Sequence, residues 1–207
     1  MAAQCQPATS NDPQDLAREC NVRGIKLQAA GRLEEAAQEY RKAIALYAAG
    51  PAAHNNLAVV LKDQNKLDEA AKEAALAIKL RSNRADYHFN YGIILQRLNK
   101  LDEARTEFQQ ARDMQPMDAE FRSRLAQLLM QMNQGPAAEE ELKMALLLKP
   151  NEGKYHKLMA ELLMQVSRPD EALLEYRLSA PLFPPDSPES AEIKSKLDYL
   201  KAKLQTH

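Results

Sequence analysis

Three histidines, His54, His88 and His156, are the residues whose type and spacing most invite a chemical reading, because imidazole titrates near neutral pH and ligates metals. His88 follows His54 by 34 residues, and His156 lies two such intervals further on. Zinc ligands must converge within about 2.1 Å of one ion. If the interval is a structural repeat, successive copies stand on the order of 18 to 20 Å apart, two helices of roughly 9 to 10 Å intervening. The spacing therefore assigns the histidines a structural or surface role and predicts no metal site. The acidic pairs Glu34-Glu35, Asp68-Glu69 and Asp102-Glu103 could pass for a general acid and base. Each opens a helical pattern, however, where negative charge suits the exposed amides and the positive end of the helix dipole. No Gly-rich phosphate loop, nucleophile elbow or His-Glu-x-x-His occurs. Cys5 and Cys20 are too few for a disulfide framework and lack zinc-site spacing, so they read as free thiols. The expectation is a protein that is not an enzyme, with no catalytic residue and no cofactor.

Charge narrows the partners. Lys and Arg number 28 against 29 Asp and Glu, a formal net charge of −1, which leaves no basic field for a phosphate backbone and excludes nucleic acid as the main partner. No run approaches the roughly 18 to 20 consecutive apolar residues of a membrane span. No charged n-region with an apolar h-region precedes Cys5, so the cytoplasm is the expected compartment. An exported form trimmed of its signal peptide would read the same way.

The elements that must position any site are helices. Six Gly, no Trp and 45% apolar residues, with Ala, Leu, Glu, Gln, Lys and Arg abundant, make an inventory of helix formers, and the fold class is all-α. Arg32-Leu33-Glu34-Glu35-Ala36 recurs as Lys66-Leu67-Asp68-Glu69-Ala70 and Lys100-Leu101-Asp102-Glu103-Ala104, with a weaker echo at Arg168-Pro169-Asp170-Glu171-Ala172. With Ala17 as position 1, five units fill residues 17–50, 51–84, 85–118, 119–152 and 153–186 without insertion. Position 8 is always small (Gly24, Ala58, Gly92, Ala126, Ala160), as two closely crossing helices require. Position 20 is Ala in every unit (Ala36, Ala70, Ala104, Ala138, Ala172), and in the simplest packing it faces position 8. Position 11 is always Leu, and position 24 is bulky in four units, with Tyr40, Phe108, Leu142 and Tyr176 against Ala74. The pattern breaks near position 15, at Gly31, Asn65, Asn99, Asn133 or Ser167, so each unit reads as two antiparallel helices. Pro116, Pro150 and Pro184 at position 32 close three units.

This column pattern resembles the tetratricopeptide repeat (TPR) family, whose 34-residue signature it matches at positions 8, 20, 24, 27 and 32. The resemblance implies a right-handed superhelical solenoid of five helix-turn-helix hairpins. The family's Trp at position 4 is replaced by Cys20, His54, His88, Arg122 and His156, and its Leu at position 7 by Arg23 in the first unit, so the first hairpin is expected to pack less well. Residues 1–16, poor in apolar side chains, are expected to form a disordered leader. Residues 187–207 are expected to form a C-terminal capping helix. Ser187 and Pro188 start it, and Ile193, Leu197, Leu200 and Leu204 make its apolar stripe. Most of the methionines crowded into the second half read as core filler.

In the family the first helices line a concave groove, with positions 2, 5, 6, 9, 12 and 13 pointing into it. Here those columns offer an apolar stripe (Ile25, Val59, Ile93), amides able to hold an extended backbone (Asn21, Asn55, Asn56, Asn90) and an aromatic anchor, Phe89. Arg97, Arg124, Gln127 and Met130 complete the expected peptide-binding set. The family's clamp for chaperone carboxylate tails is disfavoured, because Asp86 and Glu120 stand where cations belong. The Asn56 and Asn90 column is similar to the asparagine ladder of the O-GlcNAc transferase repeats. The expected function is a non-catalytic scaffold that binds a protein or peptide partner in its groove and supports complex assembly. The alternatives are a substrate-recruiting subunit of a separate enzyme and a self-assembling scaffold.

Overall fold

The computed structural model describes residues 12–204, all in helices and short turns. Residues 1–11, Cys5 among them, and residues 205–207 lie outside the described residues, as does the side chain of Leu204. The described helices are α1 (Pro13–Ala29), α2 (Leu33–Leu46), α3 (Pro51–Asp63), α4 (Leu67–Leu80), α5 (Ala85–Arg97), α6 (Leu101–Met114), α7 (Ala119–Gln131), α8 (Gly135–Leu148), α9 (Gly153–Gln165), α10 (Pro169–Ser179) and α11 (Pro188–Leu204). A 3₁₀ turn, Ala180–Leu182, follows α10. The fold is an all-α solenoid of paired helices ending in a capping helix. Contacts divide it into two compact units, one ending at Glu107 and the other beginning at Phe108. Helix α1 starts at Pro13, ahead of the expected boundary at 17, with the Asp12 carboxylate accepting from the Gln14 amide at 2.9 Å.

The turn inside each pair has one physical form. Gly31, Asn65, Asn99, Asn133 and Ser167 all lie at positive φ, between 58° and 74°. The amide one residue later reaches back to the Leu carbonyl at position 11, as Arg32 does to Leu27 and Arg168 to Leu163, at 2.8 to 2.9 Å. The amide at position 15 bonds the carbonyl at position 12, and the two bonds together close the helix end as a Schellman motif. Gly suits this geometry best, Asn tolerates it, and Ser carries the cost of the left-handed region. Ser167→Gly is therefore expected to raise stability by about 0.5 to 1 kcal/mol, and Asn65→Gly by less, as read from thermal melts.

Packing follows the columns with one correction. The five position-20 alanines are all fully buried. In the first hairpin, however, the small residue at position 8 faces the aromatic at position 24 rather than Ala36. A Cβ on Gly24 would lie 2.5 Å from Tyr40 Cε1. Tyr40 is fully buried, donates to Gln28 Oε1 at 2.8 Å, and its phenol is pushed up to about 12 by burial. In that hairpin Arg23 donates to Glu39 Oε2 and to the buried Cys20 Sγ, each at 2.9 Å.

In the second unit only Met159 of the clustered methionines is buried, while Met114, Met117 and Met144 are exposed, which corrects their reading as core filler. Helix α11 buries Ile193 and Leu200 and leaves Lys194, Lys196, Lys201 and Lys203 exposed. Its Glu192 accepts from Lys157 at 2.6 Å, a 35-residue step that places α11 like the first helix of a sixth repeat. Lys194 then stands where the five repeats carry Gly or Ala.

Candidate functional site

The histidine column is a set of clamps, buried at His54 and His88 and half-buried at His156. His54 Nδ1 meets Glu73 Oε2 at 2.6 Å and Nε2 meets the Ala48 carbonyl at 3.0 Å. His88 makes the same two contacts with Glu107 and the Ser82 carbonyl, at 2.6 and 2.9 Å, and His156 with Glu175 and the Pro150 carbonyl, at 2.7 and 2.8 Å. A carboxylate and a backbone carbonyl both only accept, so the His54 ring is best satisfied when it donates from both nitrogens. For His54 the bond to Glu73 outweighs burial and raises the pKa above its ordinary value, with help from the Ala48 carbonyl. In the fourth repeat Arg122 takes the position, donating to Glu141 and to the Pro116 carbonyl, each at 2.8 Å, while Arg112 holds the other Glu141 oxygen. Each clamp ties a first helix to its own second helix and to the turn that enters the repeat. Among the described residues no group of His, Cys, Asp or Glu is placed to hold a metal.

The glutamates of these four clamps, Glu73, Glu107, Glu141 and Glu175, fill position 23, where the first repeat carries Glu39, held instead by Arg23. Sequence reasoning missed them, although an unbroken acidic column, 19 residues after a His or Arg in four of the five repeats, was the available signal.

In the first unit the structure joins the four expected asparagines directly. Asn90 Nδ2 donates to Asn55 Oδ1 at 3.0 Å, Asn55 Nδ2 approaches Asn56 Oδ1 at 3.5 Å, and Asn56 Nδ2 donates to Asn21 Oδ1 at 3.0 Å. The amides thus form a relay with every donor pointing the same way, linking position 5 of one repeat to position 6 of the next. Each side-chain amide has two N–H groups and two lone pairs, so the relay uses only part of its capacity. Asn55 is buried, and Asn21, Asn56 and Asn90 are half-buried. Beside them Ile25 is 48% exposed, while Val59, Phe89 and Ile93 are half-buried. Arg97 is exposed and donates to the Lys62 carbonyl at 2.6 Å and to Asn65 Oδ1 at 2.9 Å, which ties it to the preceding turn.

In the second unit the corresponding face is ionic. A cleft of about 290 Å³ is lined by residues of α7 and α9, including Arg124, Gln127 and Tyr155. Arg124 donates to Gln127 at 3.0 Å, and Lys154 to Glu120 at 2.6 Å. Burial pushes the Glu161 carboxyl up, with Lys157 drawing it back. Met130 is half-buried, and its carbonyl accepts from Gln165 at 3.0 Å.

Paired helices closed by one repeated turn, with a column-for-column register, define a helical repeat protein. Tetratricopeptide-repeat family models match residues 27–65 and 95–162, together just over half of the chain. The chain belongs to the tetratricopeptide-repeat family, a class that works through protein–protein contact. Among solved structures it is similar to PilF of Pseudomonas aeruginosa, at 22% identity over 94% of this chain and 92% of that one, TM-score 0.76. It is similar to MamA of Desulfovibrio magneticus, at 18% identity over 81% and 95%, TM-score 0.75. It also resembles YrrB, described as a TPR protein with an unusual peptide-binding site, at 18% identity over 86% and 92%, TM-score 0.71. At these identities the likeness speaks for the fold alone. Comparison with curated proteins finds no match.

Proposed function

We propose that this chain is a non-catalytic scaffold that binds an extended segment of a partner protein along the first helices of its first unit, and so supports assembly of a larger complex. The observation that carries this reading is the amide relay from Asn90 to Asn21, with the exposed Ile25 and the half-buried Val59, Phe89 and Ile93 beside it. A row of fixed amides with spare donors and acceptors suits the backbone of an extended peptide whatever its side chains, and neighbouring apolar surface supplies the rest of the binding energy. The test is affinity capture on the immobilised full-length chain, followed by mass spectrometry. Asn56→Ala combined with Asn90→Ala is expected to cut recovery of the captured partner at least about tenfold, roughly 1.4 kcal/mol, while the helical circular-dichroism signal stays at the parent level. Undiminished recovery removes the relay from the binding site.

A further inference from the structure

The first unit carries a cavity of about 550 Å³ whose chemistry differs from that of the amide relay. Small residues from three helices line it, Ala17 of α1, Ala43 of α2, and Pro51 and Ala53 of α3. Tyr47, Leu80 and Tyr87 add larger apolar surface. The volume lies within the roughly 300 to 1,000 Å³ of ordinary ligand pockets. Tyr47 and Leu80 are 37% and 42% exposed, apolar surface that an inserted group would cover.

The charge at this cavity has one sign. Its charged lining residues are Arg18 and Arg81, and no acidic residue lines it. Arg18 has Asp15 at 3.3 Å, an exposed pair that contributes little. Arg81 is exposed and makes no ion pair among the described residues. Asp86, next to Tyr87 in the chain, is already held by Arg84 at 2.9 Å. An occupant that fits must combine an apolar body with a negative charge. The chain's own first eleven residues contain no Asp or Glu, so charge complementarity favours a separate acidic segment over the leader.

We propose that this cavity receives a bulky apolar side chain of the partner peptide, and that an Asp or Glu adjacent to that side chain pairs with Arg81. Asn21 both lines the cavity and ends the amide relay, so a peptide lying along the relay arrives at the cavity on the same face. The inference thus rests on the proposed groove and names the chemistry of what the groove holds.

The test is an array of immobilised decapeptides, each with a Leu or Phe anchor flanked by Asp or Glu, by Asn or Gln, or by Lys, probed with the full-length chain. The acidic set is expected to retain the protein about tenfold more strongly than the Lys set, and Arg81→Glu, with an unchanged circular-dichroism spectrum, is expected to invert that order. Equal retention of the three sets, retention of none, or an order that Arg81→Glu leaves unmoved overturns the proposal. Retention that emerges only after deletion of residues 2–11 shows the leader as the occupant and overturns it equally. Lost capture in the Asn56→Ala, Asn90→Ala variant without charge preference on the array keeps the groove and rejects the cavity site. Charge preference with capture intact does the reverse.

Discussion

Replacing Glu73 by Ala lowers the stability of the full-length chain by about 2 kcal/mol at pH 6 and by clearly less at pH 9. His54 is buried with both ring nitrogens on acceptors, and Glu73 supplies the shorter of its two bonds. The folded pKa of His54 is raised above the ordinary 6.5, chiefly by that bond. A raised cationic group contributes its full stability below the unfolded value of about 6.5 and loses it as pH climbs through the folded value. Without Glu73 the buried ring sheds its proton more readily, so the penalty is greatest in acid, where the charged ring lacks its carboxylate, and falls as rising pH leaves the ring neutral with or without Glu73. The difference between parent and variant therefore narrows from pH 6 towards pH 9. Glu141→Ala is the control, because Arg122 and Arg112 hold their charge throughout, and its deficit stays flat over the same range. Denaturant melts across this pH series decide the matter. A Glu73→Ala deficit that grows with pH would reverse the sign of the linkage.

Gly24→Leu costs about 3 kcal/mol in the same kind of melt. At an exposed site inside a helix, replacing Gly by Leu would stabilise by somewhat under 1 kcal/mol, so the two environments predict opposite signs. Here the first added carbon already lies 2.5 to 2.9 Å from three atoms of the Tyr40 ring. The ring cannot swing away cheaply, because it is fully buried and hydrogen-bonded to Gln28 at 2.8 Å. Tyr40→Ala alone leaves a void and costs about 3 to 5 kcal/mol. The double variant should lose markedly less than the two single losses combined, because each change relieves the other. Simple additivity would show that Gly24 and Tyr40 do not share a contact.

The fold was legible because side-chain size recurs in register. Small residues at position 8, alanines at 20 and leucines at 11 mark the crossings, and the residue at position 15 marks a turn whose positive φ is now seen in all five repeats. The site was legible only in part. The asparagine column was visible, but its partners lie one position out of register, position 5 to position 6 of the next repeat, so reading down one column could not pair Asn21 with Asn56. The glutamates at position 23 escaped notice because a helical carboxylate reads by default as solvated. Only the hairpin brings Glu73 to His54. Arg97 and Met117 show the opposite limit. A position that faces a groove in the family also braces the preceding turn here, and a methionine expected in the core is 74% exposed.

The central claim is that the partner lies along the first helices of the first unit. Site-specific photocrosslinking in cells tests it most directly, with a benzophenone side chain placed in turn at Ile25, Val59 and Ile93, and at Gln38 and Lys72 on the second helices. The account predicts one discrete partner adduct from positions 25, 59 and 93 and none from 38 or 72. Adducts formed only from 38 and 72 would contradict it.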